Sequence, residues 1–261
     1  MRLYFLWLVA LVNVPTMFLC QALANGTIQL SEPTHEECLV FLQGLKVSMK
    51  DFRFVAPGKA GIDVASPTIV WGAKRNSIEG LKGKSLIVLF TEASLHNLEK
   101  IPKSSIVFVM DIKFRDKIGL VRRLFPRPAR IGVLTSDKEI FKESKNYSAV
   151  LAQYVVGPGE VPLSFRALID RIDVFLAIPD QVVFNYYSTL FLLRECALSG
   201  IPVIGFSEDM FEYGALASYR IDFYREGMRM GRIFKNFLLN RCHGGVVFFP
   251  KNYRIIKRDD H

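Results

Sequence analysis

The residues whose types and spacing offer chemistry are polar side chains at the ends of short apolar runs. Residues 173–179 read Asp-Val-Phe-Leu-Ala-Ile-Pro and lead into Asp180. Residues 201–206 read Ile-Pro-Val-Ile-Gly-Phe and lead into Ser207, Glu208 and Asp209. Each run has the length and bounding residues of a buried strand. Between them, residues 185–199 carry Leu190, Leu193 and Ala197 at helical spacing, and Gly200 suits the helix end. Strand, helix and strand with tight connections imply two parallel neighbours. Ligands of open parallel sheets sit beyond the carboxyl ends of the strands. A carboxylate there, Asp180, can hold a ligand ammonium group through a charge-assisted bond. The alternative is that Asp180 caps the helix starting near Phe184 or fixes the turn. Ser207 and Glu208 either contact ligand or cap the turn that follows. Asp222 can order the start of a helix at Tyr224. Tyr186, Tyr187, Phe211 and Tyr213 either line an aromatic pocket or pack as ordinary core and surface.

Other chemistries find no support. Gly83-Lys84-Ser85 has Ile78 where a phosphate loop needs glycine, and it precedes a strand instead of following one. Gly157-Pro158-Gly159 reads as a turn, because proline removes an amide donor. No GxSxG or HExxH occurs. The four histidines are far apart, which gives a metal site no positive support. Cys38, Cys196 and Cys242 form no CxxC pair, and Cys196 reads as core. The expectation is a protein without catalytic residues, metal or cofactor.

With 261 residues, half of them hydrophobic, the chain can bury a substantial core. The net charge of +9 is spread along the sequence, with basic doublets only at 74–75, 122–123 and 257–258. That dispersal argues against a nucleic-acid partner. Arg2, the apolar run that follows, and Ala22-Leu23-Ala24 match an export signal cleaved before Asn25. The other reading is an uncleaved membrane anchor, although Asn13, Pro15 and Gln21 interrupt the run. The expected compartment is the periplasm.

The elements needed to position these residues follow in order. Strands are expected at 27–30, 51–57, 68–73, 85–91 and 105–111, with helices near 34–45 and 92–99. Residues 57–67 read as loop. A basic amphipathic helix at 113–125 turns Ile118, Val121 and Leu124 inward, and Pro126 and Pro128 end it. Strands at 129–136 and 148–156 and helices at 137–147 and 163–171 lead to the 172–224 stretch. A helix over 224–239 carries Gly227, Gly231, Phe234 and Leu238 on one face, the glycines suggesting close approach to a sheet. A final strand spans 248–256. Such alternation means doubly wound parallel sheets.

Pro179-Asp180, the run Ile201 to Glu208, Gly214 to Ser218, Asp222, and the Tyr-x-x-Gly-x-x-x-Gly pattern from Tyr224 to Gly231 form an ordered series. This series resembles the C-terminal half of the ABC transporter substrate-binding proteins related to tryptophan and tyrosine binding. The first half resembles them more weakly, at Thr91-Glu92-Ala93 and Met110-Asp111. Between Asp111 and Arg130 the chain lacks the family's glycine-rich segment, and Ile112 stands where the family has proline. The resemblance implies two Rossmann-like α/β lobes with parallel sheets joined by a hinge, of the periplasmic binding protein type I kind. The domains expected are a signal at 1–24, a first lobe at 25–125 completed by part of 209–245, and a second lobe at 126–261. It further implies an exported protein that binds a small, amino-acid-like solute between the lobes and passes it to a membrane permease. The ligand residues would be Thr91, Glu92, Asp111, Asp180, Ser207, Glu208 and Asp222. The alternative is a sensory module with a degenerate pocket that signals to a membrane receptor.

Overall fold

The computed structural model describes residues 27–30, 36–55, 67–71, 82–96, 98, 101–125, 127 and 129–258. The expected export signal and the loop at 57–66 lie outside these residues. By its internal contacts the chain divides into two compact units. One holds the described residues within 27–89, 101–108 and 223–248; the other holds those within 90–98, 109–222 and 249–258.

The first unit is built on β1 (Thr27–Leu30), β2 (Arg53–Val55), β3 (Thr68–Trp71), β4 (Ser85–Leu89), β5 (Ser105–Val109) and β11 (Val246–Phe248), in the order β11-β5-β4-β3-β1-β2. β1 pairs in parallel with β2 and β3, β3 with β4, and β5 with β11. Every residue of β3, β4 and β5 is buried, so these strands read as continuous apolar runs and not as alternations. Helix α1 (Glu36–Ser48) buries Cys38, Phe41, Leu42 and Leu45, the face its spacing predicts. It packs on α8 (Phe223–Leu238). The glycines of α8 serve that helix and not the sheet. A Cβ on Gly227 would lie 2.0 Å from the Phe41 carbonyl oxygen, and one on Gly231 would lie 2.8 Å from that of Leu45. Gly44 on α1 answers them, since its Cβ would lie 2.0 Å from the Tyr224 carbonyl oxygen. Lys84, the lysine of the false phosphate loop, ends α8: its ammonium donates to the Phe237 and Leu238 carbonyls at 2.6 and 3.1 Å.

The second unit has the strand order β12-β10-β9-β8-β6-β7, from β6 (Ile131–Thr135), β7 (Val150–Tyr154), β8 (Val174–Leu176), β9 (Val203–Gly205), β10 (Ala217–Ile221) and β12 (Tyr253–Lys257). All its pairs are parallel except β10 with β12. Strand residues alternate between two cores. Leu134, Phe175 and Val203 face α5 (Val161–Ile169) and α6 (Tyr186–Leu198). Val133, Val174, Leu176 and Ile204 face α3 (Phe114–Leu124) and α4 (Lys138–Ser144).

Several expectations change. Residues 109–125 belong to the second unit, not the first, because Phe114, Ile118 and Val121 of α3 pack against β6, β8 and β9. The run at 248–256 is two strands in different sheets, β11 beside β5 and β12 beside β10. The buried face of α6 is Ser188, Leu192, Leu193 and Cys196, while Leu190 and Ala197 are exposed. Gly200 follows α6 with φ +64°, as its placement suggested.

Candidate functional site

In the second sheet the chain runs outward from β6 to β7, returns past β6 to β8, and continues to β9 and β10. The reversal falls between β6 and β8. A reversal of this kind opens a crevice at the carboxyl ends, the usual ligand position in such sheets. Here the two strands end in Thr135-Ser136-Asp137 and in Ala177-Ile178-Pro179-Asp180.

Asp180 bridges that crevice. Its carboxylate accepts the Ser136 N–H at 2.6 Å, the Ser136 hydroxyl at 2.9 Å and the Thr135 hydroxyl at 3.2 Å. It also accepts the N–H groups of Val182 and Val183, at 3.0 and 3.3 Å. The side chain is 8% exposed. The aspartate thus fixes the turn after β8 and ties two strand ends together. Of the two roles open in the sequence, the geometry displays the structural one.

Beside it, Asp137 caps α4 by accepting the N–H groups of Glu139 and Ile140, both at 2.8 Å. The same carboxylate meets the His96 ring Nδ1 at 3.1 Å. His96 ends α2 (Glu92–His96), a short helix that follows β4 in sequence but packs in the second unit. The hydrogen bond to Asp137 raises the pKa of His96 against the opposing effect of burial. Burial pushes the pKa of Asp137 up, but the bonds from His96 and the two N–H groups outweigh it and leave it below the ordinary value.

A second polar cluster lies under α3. Glu92 accepts the Phe114 N–H at 2.6 Å, at the first turn of α3. Burial raises its pKa, against the pull of the Lys117 charge. Asp111 takes the Lys117 ammonium on one oxygen and the Tyr219 hydroxyl on the other, both at 2.6 Å. Lys117, Asp111 and Tyr219 are 1%, 2% and 4% exposed. Burial first, then the Asp111 charge, pushes the Tyr219 phenol well above its usual pKa.

All seven residues expected from the sequence fall in the second unit. Thr91 caps α2, its hydroxyl accepting the Ser94 N–H at 3.1 Å. Ser207 caps α7 (Glu208–Glu212) through Met210 N–H. Exposed Glu208 pairs with Arg220 at 3.1 Å. Asp222 directly precedes α8, and its own N–H bonds the Asn252 carbonyl. Glu92 and Asp111 join one buried cluster, Asp180 lies at the β6–β8 crevice, and Ser207 and Glu208 lie past β9. Tyr186, Tyr187 and Tyr213 are exposed, with Tyr186 and Tyr187 in edge-to-face contact 5.5 Å apart. Sequence reasoning missed Ser136, Asp137, His96, Lys117 and Tyr219. Ser136-Asp137 was findable, since it stands at the end of an expected strand just as Asp180 does.

Among the described residues, no group of three or more His, Cys, Asp or Glu side chains is placed to hold a metal ion. No helix among them is long and apolar enough to cross a membrane.

Two α/β units on parallel-dominated sheets, the second with its polar groups gathered at the carboxyl edge, define a periplasmic binding protein fold of type I. A model of the ABC transporter substrate binding protein family matches residues 93–241, more than half of the chain, and the chain belongs to that family. Family and fold are those of binding proteins, not enzymes. No curated protein matches the chain. Among solved structures it is similar to a ligand-free, open substrate-binding protein with adhesive properties from Clostridium difficile. That pair shares 16% identity over 90% of this chain and 92% of the other, with a TM-score of 0.65. It is also similar to an ABC domain in complex with L-Trp from Streptococcus pneumonia, at 16% identity over 88% and 91% and a TM-score of 0.54. A XylFII–LytSN complex matches at 11% identity over 90% and 99%, with a TM-score of 0.56.

Proposed function

We propose that this chain is an exported, periplasmic solute receptor of an ABC-type transport system. It takes a small amino-acid-like solute at the carboxyl edge of the second sheet and hands it to a membrane permease. The observation that carries this reading is the family match over residues 93–241, which includes β6, β8 and β9 and the polar residues at their ends. Export rests on the apolar N-terminal run and Ala22-Leu23-Ala24. The amino-acid class rests on the sequence resemblance and on the L-Trp held by one structural neighbour.

A second reading is a sensory module that signals to a membrane receptor. It is favoured by Asp180, whose carboxylate already accepts five protein donors. The likeness to a XylFII–LytSN complex supports it as well.

A thermal-shift screen against amino acids and small organic acids separates the two. Binding to the native state at a hundredfold excess over Kd adds about 2.7 kcal/mol of stability. A shift from one amino-acid class supports the receptor, and Ser136→Ala, at the crevice, should reduce it. A flat response across the panel overturns the transport reading and leaves the sensory one.

A further inference from the structure

Part of the charge that looks dispersed in the sequence stands at one end of the second sheet. No acidic residue stands between Asp116 and Asp137, while Arg122, Arg123, Arg127 and Arg130 fall within that interval. Helix α3 turns Phe114, Lys117, Ile118 and Val121 inward, which leaves Arg122 and Arg123 exposed in its last turn. β6 begins at Ile131, seven residues after Leu124, so the end of α3 lies by the amino-terminal edge of the sheet. This is the edge opposite the crevice that Asp180 bridges. α4 also ends there, with exposed Lys145 just ahead of β7, and exposed Arg171 stands just ahead of β8.

Not all of this charge is available. Arg130 is taken up by Asp173 through two guanidinium bonds, at 2.8 and 3.1 Å. Asp170 and Glu143 also lie by this edge. Among the described residues, however, the side chains of Arg122, Arg123 and Arg127 have no ion pair or hydrogen-bond partner. Between them, Leu124 and Phe125 are only half-buried, packed at the margin of the α3 core.

We propose that this arginine edge docks the protein on an anionic phospholipid surface. Three unpaired guanidinium groups are matched to phosphate oxygens in geometry and charge. The half-buried Leu124 and Phe125 suit the boundary between headgroup and acyl chain. The carboxyl edge, at the other end of the strands, then stays open to solute while the amino edge faces the bilayer. Lipid is favoured over nucleic acid because half-buried Leu124 and Phe125 lie in the chain between the arginines and because the chain reads as exported. The inference rests on the exported reading, but vesicle binding needs no solute, so either can fail alone.

The test is co-sedimentation of the chain, as exported and processed by its host, with protein-free vesicles. One set contains phosphatidylcholine with about a third phosphatidylglycerol; the other is phosphatidylcholine alone. Binding should require phosphatidylglycerol and fade in high salt. At about fivefold per arginine, the triple variant Arg122→Gln, Arg123→Gln, Arg127→Gln should lose on the order of a hundredfold in affinity. The control Arg166→Gln, Arg194→Gln, Arg232→Gln removes equal charge from exposed positions on α5, α6 and α8 and should bind nearly as the parent does. Circular dichroism confirms that both variants fold. Equal binding to both vesicle types, no binding to the anionic set, or equal loss in the two triple variants overturns the proposal.

Discussion

Tyr219 donates its phenolic hydrogen to Asp111 across a distance of 2.6 Å, although 108 residues separate them in the chain. The other Asp111 oxygen holds Lys117. The bond joins β10 to the segment entering α3, and all three groups are almost wholly buried. An ion pair this deep is satisfied only while each partner is present.

Lys117→Met should therefore be costly. It leaves the Asp111 carboxylate buried with one phenol for company, and about 3–5 kcal/mol of stability should go. Asp111→Asn combined with Lys117→Met removes both charges and should recover much of that loss. Urea denaturation followed by far-ultraviolet circular dichroism measures both. If the double variant is no more stable than Lys117→Met alone, uncompensated charge is not the cause.

Asp180→Ala strips the acceptor from the crevice between β6 and β8. The N–H groups of Ser136, Val182 and Val183 lose their partner, at a cost of about 1–3 kcal/mol. Hydrogen exchange should quicken at those three amides, with β3 and β4 of the first unit unaffected. Unchanged exchange at Ser136 would contradict the bridging role.

The His96–Asp137 contact carries a pH signature. The folded pKa of His96 lies above its unfolded value, so its stabilisation is complete below about 6.5 and is lost as pH rises through the folded pKa. That of Asp137 lies below its unfolded value, so its contribution is present above about 3.9 and is lost as pH falls through the folded pKa. The pair is strongest between those limits. Glu92 and Glu139 also favour the charged imidazole. Thermal melting should show stability falling as pH rises above about 6.5, and His96→Gln should flatten that fall.

Two glycines should respond oppositely to alanine. Gly227→Ala forces a methyl group into the Phe41 backbone and should cost about 2 kcal/mol as α1 and α8 separate. Gly119, inside α3, has open space where its Cβ would stand. Gly119→Ala should gain up to about 1 kcal/mol from helix propensity. Melting temperatures of the two variants against the parent decide this, and a destabilised Gly119→Ala would mean that α3 is more crowded than the structure shows.

The elements most legible in the sequence were strands buried on both faces. β4, β5, β6 and β8 are mostly apolar runs because their residues are buried whichever face of the sheet they point to. β10 was not recognised as a strand. Its sequence Ala-Ser-Tyr-Arg-Ile includes polar Ser218 and Arg220, and β12 pairs with it only after the chain has passed through the first unit. The face of α6 was misjudged because the helix is apolar nearly all round, which lets several stripes fit equally well. At the site, the place of Asp180 at a strand end was visible. Its partners Thr135 and Ser136, 45 and 44 residues earlier, were not.

The sequence alone determined the α/β class, the strand ends that carry Asp180 and Ser207, and the family, because each is written in local runs and spacing. Tertiary structure decided what those residues touch. It gave Asp180 its donors from Thr135, Ser136, Val182 and Val183, buried Asp111 with Lys117 and Tyr219, and set the glycines of α8 against α1. Those outcomes depend on strand order and helix docking between segments remote in the chain. Spacing along a sequence carries no information about that juxtaposition, which is fixed only when each unit packs its own sheet and helices.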